Sequence, residues 1–169
     1  IGYALAGVAT GTTSGYGSSI IYITIYVVMN VGAFSCIFLM KKNGEYTEEI
    51  EDLSGISKKH PLLAISFLII FFSLAGIPPL GGFFAKFYVF MSVIENEMFF
   101  LAIIGLLTTV VSAFYYLRII KIIYFDELKI EFDKIKNFSL TGTIFISCFI
   151  LLAFFLFPSF LSDIVSSIF

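Results

Sequence analysis

The sequence has little of what water-soluble and metal-binding proteins use. It contains no tryptophan, one histidine and two cysteines, and only 13% of its 169 residues are charged. Because haem, zinc and iron–sulfur sites need clusters of histidine or cysteine, we expect no metal or redox centre in this chain. Cys36 and Cys148 each lie in an apolar run, where a thiol packs as a small hydrophobic side chain. The charges form no basic patch, which argues against nucleic acid as a partner.

Apolar residues dominate instead. They make up 59% of the chain, and phenylalanine alone occurs 22 times. An ordinary soluble domain is about 45–50% apolar and about 25% charged. One core of this size could not bury so much apolar surface, whereas a lipid bilayer can solvate it. The composition therefore predicts an all-α integral membrane protein, a bundle of transmembrane helices surrounded by lipid.

Five apolar segments are candidates for these helices, since about 20 apolar residues cross a bilayer. The predicted spans, all within a single membrane domain 1–169, are approximately 1–11 (partial), 19–40, 61–95 (broken at 77–82), 98–123 and 139–159. The Gly/Ser/Thr-rich segment 10–18 is interpreted as a turn. The chain opens mid-helix at Ile1 without a basic leader, which favours a piece of a longer protein or one part of a split one.

Residues 41–60 form a polar connection between the second and third spans. Tyr46, Ile50, Leu53 and Ile56 recur there at helical spacing among acidic residues. This pattern predicts a short amphipathic helix on the membrane surface.

The segment 61–95 is apolar apart from one lysine, and its middle cannot continue a regular helix. It is either a helical hairpin or one discontinuous span. Nine of the ten Lys and Arg residues fall in 41–59 and 118–136, while 95–97 carries only glutamates. Basic loops share the cytoplasmic side, so a single crossing is favoured. The hinge of this broken helix is predicted at Gly76, Pro78, Pro79, Gly81 and Gly82.

Lys86 lies within this span, four residues after the last hinge glycine. An ammonium at mid-bilayer costs about 2.5–3.5 kcal/mol, so it should face the bundle interior or a water-filled cavity. Broken helices at this depth line ion and substrate pathways in transporters. Lys86 is therefore a candidate catalytic residue for proton transfer; the alternative is a structural lysine paired with a carboxylate elsewhere. Asn30 and Tyr88 are candidates for a polar path.

The segment 73–88, SLAGIPPLGGFFAKFY, resembles the signature of one antiporter-like membrane subunit of proton-pumping NADH:quinone oxidoreductase, respiratory complex I. The subunit of this type is called subunit 2 in mitochondria and subunit N in bacteria. Supporting matches lie at Gly2-Tyr3, 26–34, 52–55 and 113–118. The resemblance covers nearly the whole chain.

The resemblance implies a fold of fourteen helices with two inverted repeats, each with one broken helix. This chain would be the C-terminal half, holding the second repeat with Lys86 in the broken twelfth helix. Lys86 would belong to a chain of buried charges through which protons move, driven by quinone reduction in distant subunits. NAD, FMN, iron–sulfur clusters and quinone would be cofactors of the complex, with none in this chain.

The implied partners are other membrane subunits of complex I and the N-terminal half of the same subunit. The implied location is the bacterial inner membrane or the mitochondrial inner membrane. One departure concerns Asn30, which falls where some related subunits have a lysine; an amide cannot change charge. Two alternatives stay open: a subunit of a multi-subunit cation/proton antiporter, which shares the fold, and a structural scaffold without a titrating residue.

Overall fold

The computed structural model describes residues 1–47, 49–133 and 137–157. Two short strands and two 3-10 turns (Ile50–Leu53 and Ile56–Lys58) lie between the second and third helices. The elements are α1 Gly2–Ala9, α2 Thr13–Ile37, β1 Lys41–Lys42, β2 Glu45–Tyr46, α3 Pro61–Ala75, α4 Gly81–Glu95, α5 Phe99–Phe125 and α6 Phe138–Leu156. Among the described residues, two helices, α2 and α5, are each long and apolar enough to cross a membrane alone.

The second helix begins earlier than the sequence predicted. Thr12 caps α2 by accepting a hydrogen bond from the amide of Gly15, so most of the predicted turn is helical. The small residues at the start of α2 instead allow α1 to pack closely against α2. Ser19 Oγ of α2 donates a hydrogen bond to the Ala4 carbonyl of α1 at 2.8 Å. Close approach between membrane helices requires such small residues, which a search for turn formers misreads.

The predicted amphipathic surface helix is wrong. Residues 41–46 form an antiparallel hairpin whose turn residues, Asn43 and Gly44, both have positive φ. The Asp133 carboxylate accepts hydrogen bonds from both turn amides, at 3.1 and 2.8 Å. Two 3-10 turns follow, with Gly55 at a positive φ of 65° before the second. These positive φ values and the contact with Asp133 stabilise turns where the apolar spacing alone indicated a helix.

Helices α3 and α4 lie one after the other along α5. Phe71 of α3 packs against Tyr116 of α5, with ring centroids 5.7 Å apart. Phe90 of α4 lies against Gly105, where an added Cβ would be 2.6 Å from the ring. Gly105 and Tyr116 differ in depth by about 16 Å along the helix. A hairpin closed at the break would place Phe71 and Phe90 at similar depths, so this arrangement indicates one discontinuous crossing.

The polar loops 41–60 and 126–133 meet at one end of the bundle, as the basic residues predicted. The turn Asn96–Met98 lies at the other end of α5. Lys134 and Lys136, which contributed to that prediction, lie outside the described residues, as do the last two residues of the predicted span 139–159. Lys129 contacts Glu51 (2.9 Å) and Lys59 contacts Glu131 (3.3 Å) between the loops. The Gly55 amide also donates to the carbonyl of Ile122, near the end of α5 (3.0 Å).

Candidate functional site

The broken helix is present, and its break spans residues 76–80. Gly76 ends α3 in the left-handed conformation with φ 84°, which favours glycine. Pro78 and Pro79, joined by a cis peptide bond, follow within the break. Gly81 and Gly82, predicted as part of the hinge, form the first turn of α4 instead.

Gly82 fixes how closely the two half-helices approach. Its amide donates to Ser73 Oγ at 2.9 Å, which satisfies one of the free donors at the start of α4. A Cβ at this position would collide with the Ser73 carbonyl oxygen and lie 2.7 Å from its carbon. The first turn of α4 therefore packs directly against the last turn of α3, and only glycine fits there.

Lys86 donates hydrogen bonds to the end of α3. Its Nζ lies 2.8 Å from the Leu74 carbonyl and 3.2 Å from the Ala75 carbonyl, and the residue is 6% exposed. The other carbonyls of the last turn, Phe72 and Ser73, accept from the amides of the break. Every carbonyl of this last turn is thus satisfied, as a membrane interior requires. The negative end of the α3 dipole also faces the ammonium.

A tyrosine from α1 lies beside the same ammonium. The Lys86 Nζ is 5.2 Å from the centroid of the Tyr3 ring. The Tyr3 hydroxyl is 2.8 Å from Thr109 Oγ1 on α5. In the described part of the chain both ion pairs lie in the polar loops, so no carboxylate pairs with Lys86 there.

Two cavities adjoin Lys86, with volumes of about 450 and 290 Å³. Lys86 and Phe90 line both. The smaller is almost entirely apolar, apart from Lys86 and Thr109. The larger has room for several water molecules. Its hydroxyl-bearing residues are Tyr3, Tyr22, Tyr26, Thr108, Ser112 and Tyr116.

The structure does not bring the other two predicted polar residues to these cavities. Asn30 donates to the Tyr26 carbonyl of its own helix at 2.7 Å. Tyr88 stacks edge-on against Phe87, and neither Asn30 nor Tyr88 lines the two cavities. Sequence reasoning missed Tyr3 and Ser73. The Gly2-Tyr3 pair was noted only as part of the resemblance, and a hydroxyl next to a helix break carries no distinguishing pattern.

Metal binding has no support in the residues that the structure describes. No three or more His, Cys, Asp or Glu side chains come together there in a way that could hold an ion. What Lys86 and its surroundings offer is a buried basic group between backbone carbonyls and a hydroxyl-lined cavity.

Comparison with known proteins places this architecture. The family model described as "NADH:quinone oxidoreductase/Mrp antiporter, TM" matches residues 1–112. The chain is 57% identical to NADH-quinone oxidoreductase subunit N of Pelagibacter ubique over 99% of its length, and 47% identical to subunit N of Paramagnetospirillum magneticum over 94%. It covers 36% and 33% of those proteins, and so spans about a third of the length of the curated relatives it matches.

Solved structures show the same fold. One chain of respiratory complex I from Thermus thermophilus with bound NADH superposes with a TM-score of 0.81 at 24% identity. The superposition covers 96% of this chain and 34% of the Thermus chain. A chain of the Mrp complex from Dietzia sp. superposes with a TM-score of 0.80 at 19% identity, covering 96% of this chain and 39% of its own length. The predicted antiporter-like helix bundle is confirmed, and the chain belongs to the NADH:quinone oxidoreductase/Mrp antiporter transmembrane family.

Proposed function

We propose that this chain is the C-terminal part of subunit N of an NADH:quinone oxidoreductase and that Lys86 transfers protons within it. The identity to proteins named subunit N supports the first half of the proposal. The observation that carries the second half is the position of Lys86: a buried lysine at the break of a discontinuous helix, facing a cavity of about 450 Å³. Ionisable residues inside a membrane bundle mark proton and ion pathways.

The hydrogen bonds of Lys86 suit it to gain and lose a proton. An ammonium has three donors, and two of them serve the Leu74 and Ala75 carbonyls. When the third proton leaves, the neutral amine keeps both bonds and presents a lone pair in its place. The backbone therefore stays satisfied in both protonation states. Water or hydroxyl groups in the larger cavity are the proton donors and acceptors.

The redox chemistry of the complex belongs to its other subunits. In this proposal, oxidation of NADH through FMN and iron–sulfur clusters and reduction of quinone take place in those other subunits. The free energy reaches Lys86 through charged groups of the N-terminal part of the subunit and of neighbouring membrane subunits. Those partners share the inner membrane of a bacterium or a mitochondrion with this chain.

A cation/proton antiporter of the Mrp type is the second candidate, since the Dietzia Mrp chain has the same fold. Chains of both kinds share this fold, so fold alone does not separate the two candidates. The identities to subunit N favour the oxidoreductase. An isolated complex containing the full-length subunit separates the candidates: NADH-driven quinone reduction supports the first, and Na⁺-driven proton exchange without NADH oxidation supports the second.

The test of Lys86 compares two variants in the intact complex. We expect Lys86→Ala to assemble and to lower coupled NADH oxidation and proton pumping by at least about tenfold, because a positioned acid–base group is lost. Lys86→Arg should rescue only partly, since a guanidinium keeps the charge but does not release its proton. Lys121→Ala, which removes an exposed lysine of α5, is the matched control.

Both the amount of assembled complex and the protons transferred per NADH are measured. If Lys86→Ala pumps like the wild type, the chain acts as a scaffold and Lys86 is not a proton carrier. If activity falls only in proportion to lost complex and Arg restores it fully, Lys86 is a structural group. Normal assembly with low pumping, and partial rescue by Arg, supports the proposal.

A further inference from the structure

Tyr3 of α1 lies beside the Lys86 ammonium, in addition to the carbonyls of the helix break. The Lys86 Nζ lies 5.2 Å from the centroid of the Tyr3 ring, within the range of a cation–π interaction. The negative face of an aromatic ring attracts an ammonium most strongly where water is excluded, and Lys86 is buried. Within the described residues, the Lys86 ammonium makes hydrogen bonds only to the Leu74 and Ala75 carbonyls. The Tyr3 ring adds an aromatic contact to these two.

The Tyr3 ring is held in place by its hydroxyl. The hydroxyl oxygen lies 2.8 Å from Thr109 Oγ1, 3.3 Å from Thr108 Oγ1 and 3.4 Å from the Gly105 carbonyl, all on α5. The ring itself is packed between two other aromatic residues. It is tilted on Tyr22 at 5.6 Å and edge-on to Phe90 at 5.8 Å. A ring with both its hydroxyl and its edges fixed presents a defined face to the ammonium.

We propose that Tyr3 is a positioning residue for Lys86: anchored to α5 through Thr109, its ring holds the ammonium between the carbonyls of the helix break and the larger cavity. The inference rests on the proposed function of Lys86 and adds to it. Three helices, α1, α3 and α5, then fix the one proton-carrying group of α4. Tyr3 also lines the larger cavity with Lys86, so the ring keeps the amine at the cavity wall.

The proposal separates the ring from its anchor. Tyr3→Leu removes the aromatic face but remains apolar, and we expect it to lower protons pumped per NADH about fivefold. Tyr3→Phe keeps the face and loses the anchor, and should lower pumping only about twofold. Thr109→Val removes only the shortest of the three hydroxyl contacts, so it should lower pumping no more than Tyr3→Phe does. Because Tyr3→Phe already removes the contact with Thr109, the double variant should pump like Tyr3→Phe alone.

Matched controls lie on exposed surfaces of the same bundle. Tyr115→Leu removes an exposed tyrosine of α5, and Thr24→Val removes an exposed threonine whose hydroxyl bonds only within α2. Neither should change pumping. All variants are made in the full-length subunit, and pumping is normalised to the amount of assembled complex, so lost assembly does not count as lost positioning.

A Lys86→Ala background distinguishes this proposal from the proposed function. Tyr3→Leu should add no further loss of pumping there, because the group that it positions is gone. If Lys86→Ala itself pumps normally, the proposed function fails. If Lys86→Ala abolishes pumping but Tyr3→Leu pumps like the wild type, or if Tyr3→Phe is as damaging as Tyr3→Leu, only the positioning role of Tyr3 is overturned.

Discussion

Two adjacent glycines allow a sharp test of the contact between the half-helices. At Gly82, an added Cβ would lie 2.7 Å from the Ser73 carbonyl carbon and 2.8 Å from Ser73 Oγ. At Gly81, the nearest atoms would be Phe154 Cβ at 3.4 Å and Leu151 Cδ2 at 3.5 Å. Ordinary contacts between carbon atoms are about 3.5–4.0 Å. The same methyl group therefore fits at one position and collides with backbone at the next.

The free-energy difference follows from these contacts. At position 82 the overlap costs about 1–3 kcal/mol, and a shift of α4 weakens the Gly82 amide bond to Ser73 Oγ, worth about 1 kcal/mol. Alanine regains up to about 1 kcal/mol of helix propensity at either position. Gly82→Ala should therefore destabilise the junction by about 2 kcal/mol. Gly81→Ala should be neutral or stabilise it by up to about 1 kcal/mol.

The junction positions Lys86, so the cost appears in function as well as in stability. A loss of about 2 kcal/mol lowers the equilibrium ratio of complexes with Lys86 at the Leu74 and Ala75 carbonyls to complexes without these contacts about 30-fold. We expect Gly82→Ala to reduce both the thermal stability of the assembled complex and its proton pumping. Stability is measured by thermal unfolding of the purified complex and pumping in vesicles. Equal behaviour of Gly81→Ala and Gly82→Ala would refute the close approach of α3 and α4.

Three further predictions concern the polar end of the bundle. Cysteines at Asn43 and Asn137 of the full-length subunit should label from the same side of the membrane; labelling from opposite sides would contradict the single crossing. Gly55→Ala should lower complex abundance, because its methyl would lie 2.6 Å from the backbone of the α5–α6 loop, whereas Gly44→Ala has open space and should cost less. Equal losses would argue against that loop contact. The hydrogen bond from Lys129 lowers the pKa of the Glu51 carboxyl from its ordinary value. The stabilisation from this pair is therefore present above the ordinary carboxyl pKa and lost as the pH falls through the lowered one, so Glu51→Gln should slightly lower thermal stability at pH 7 but not once the carboxyl is protonated. An effect independent of pH would contradict this ion pair.

The sequence could predict those features that depend on residue type, and it missed those that depend on contact. Prolines and glycines indicated the helix break, because proline cannot continue a regular helix. The distribution of lysine and arginine indicated one crossing, because these residues concentrate on the cytoplasmic side of a membrane. The early start of α2 was missed because Ser19 and its small neighbours serve helix packing as well as turns. The surface helix was wrong because Asp133, distant in sequence, stabilises a hairpin at Asn43. The contact of Tyr3 with Lys86 was missed for the same reason, because the two residues are far apart in sequence and no periodic pattern connects them.

The helix break and the buried lysine each satisfy a requirement that the other creates. A break inside a membrane leaves carbonyls without amide partners, and a lysine there lacks water. Lys86 satisfies the carbonyls of Leu74 and Ala75, and they satisfy it in return. Lys86→Ala consequently removes two backbone hydrogen bonds together with a titrating group. Water from the adjoining cavity can replace the lost donors in Lys86→Ala, because about 450 Å³ is ample for several molecules. Assembly should therefore survive a change that abolishes proton transfer, and the two roles of Lys86 can be measured separately.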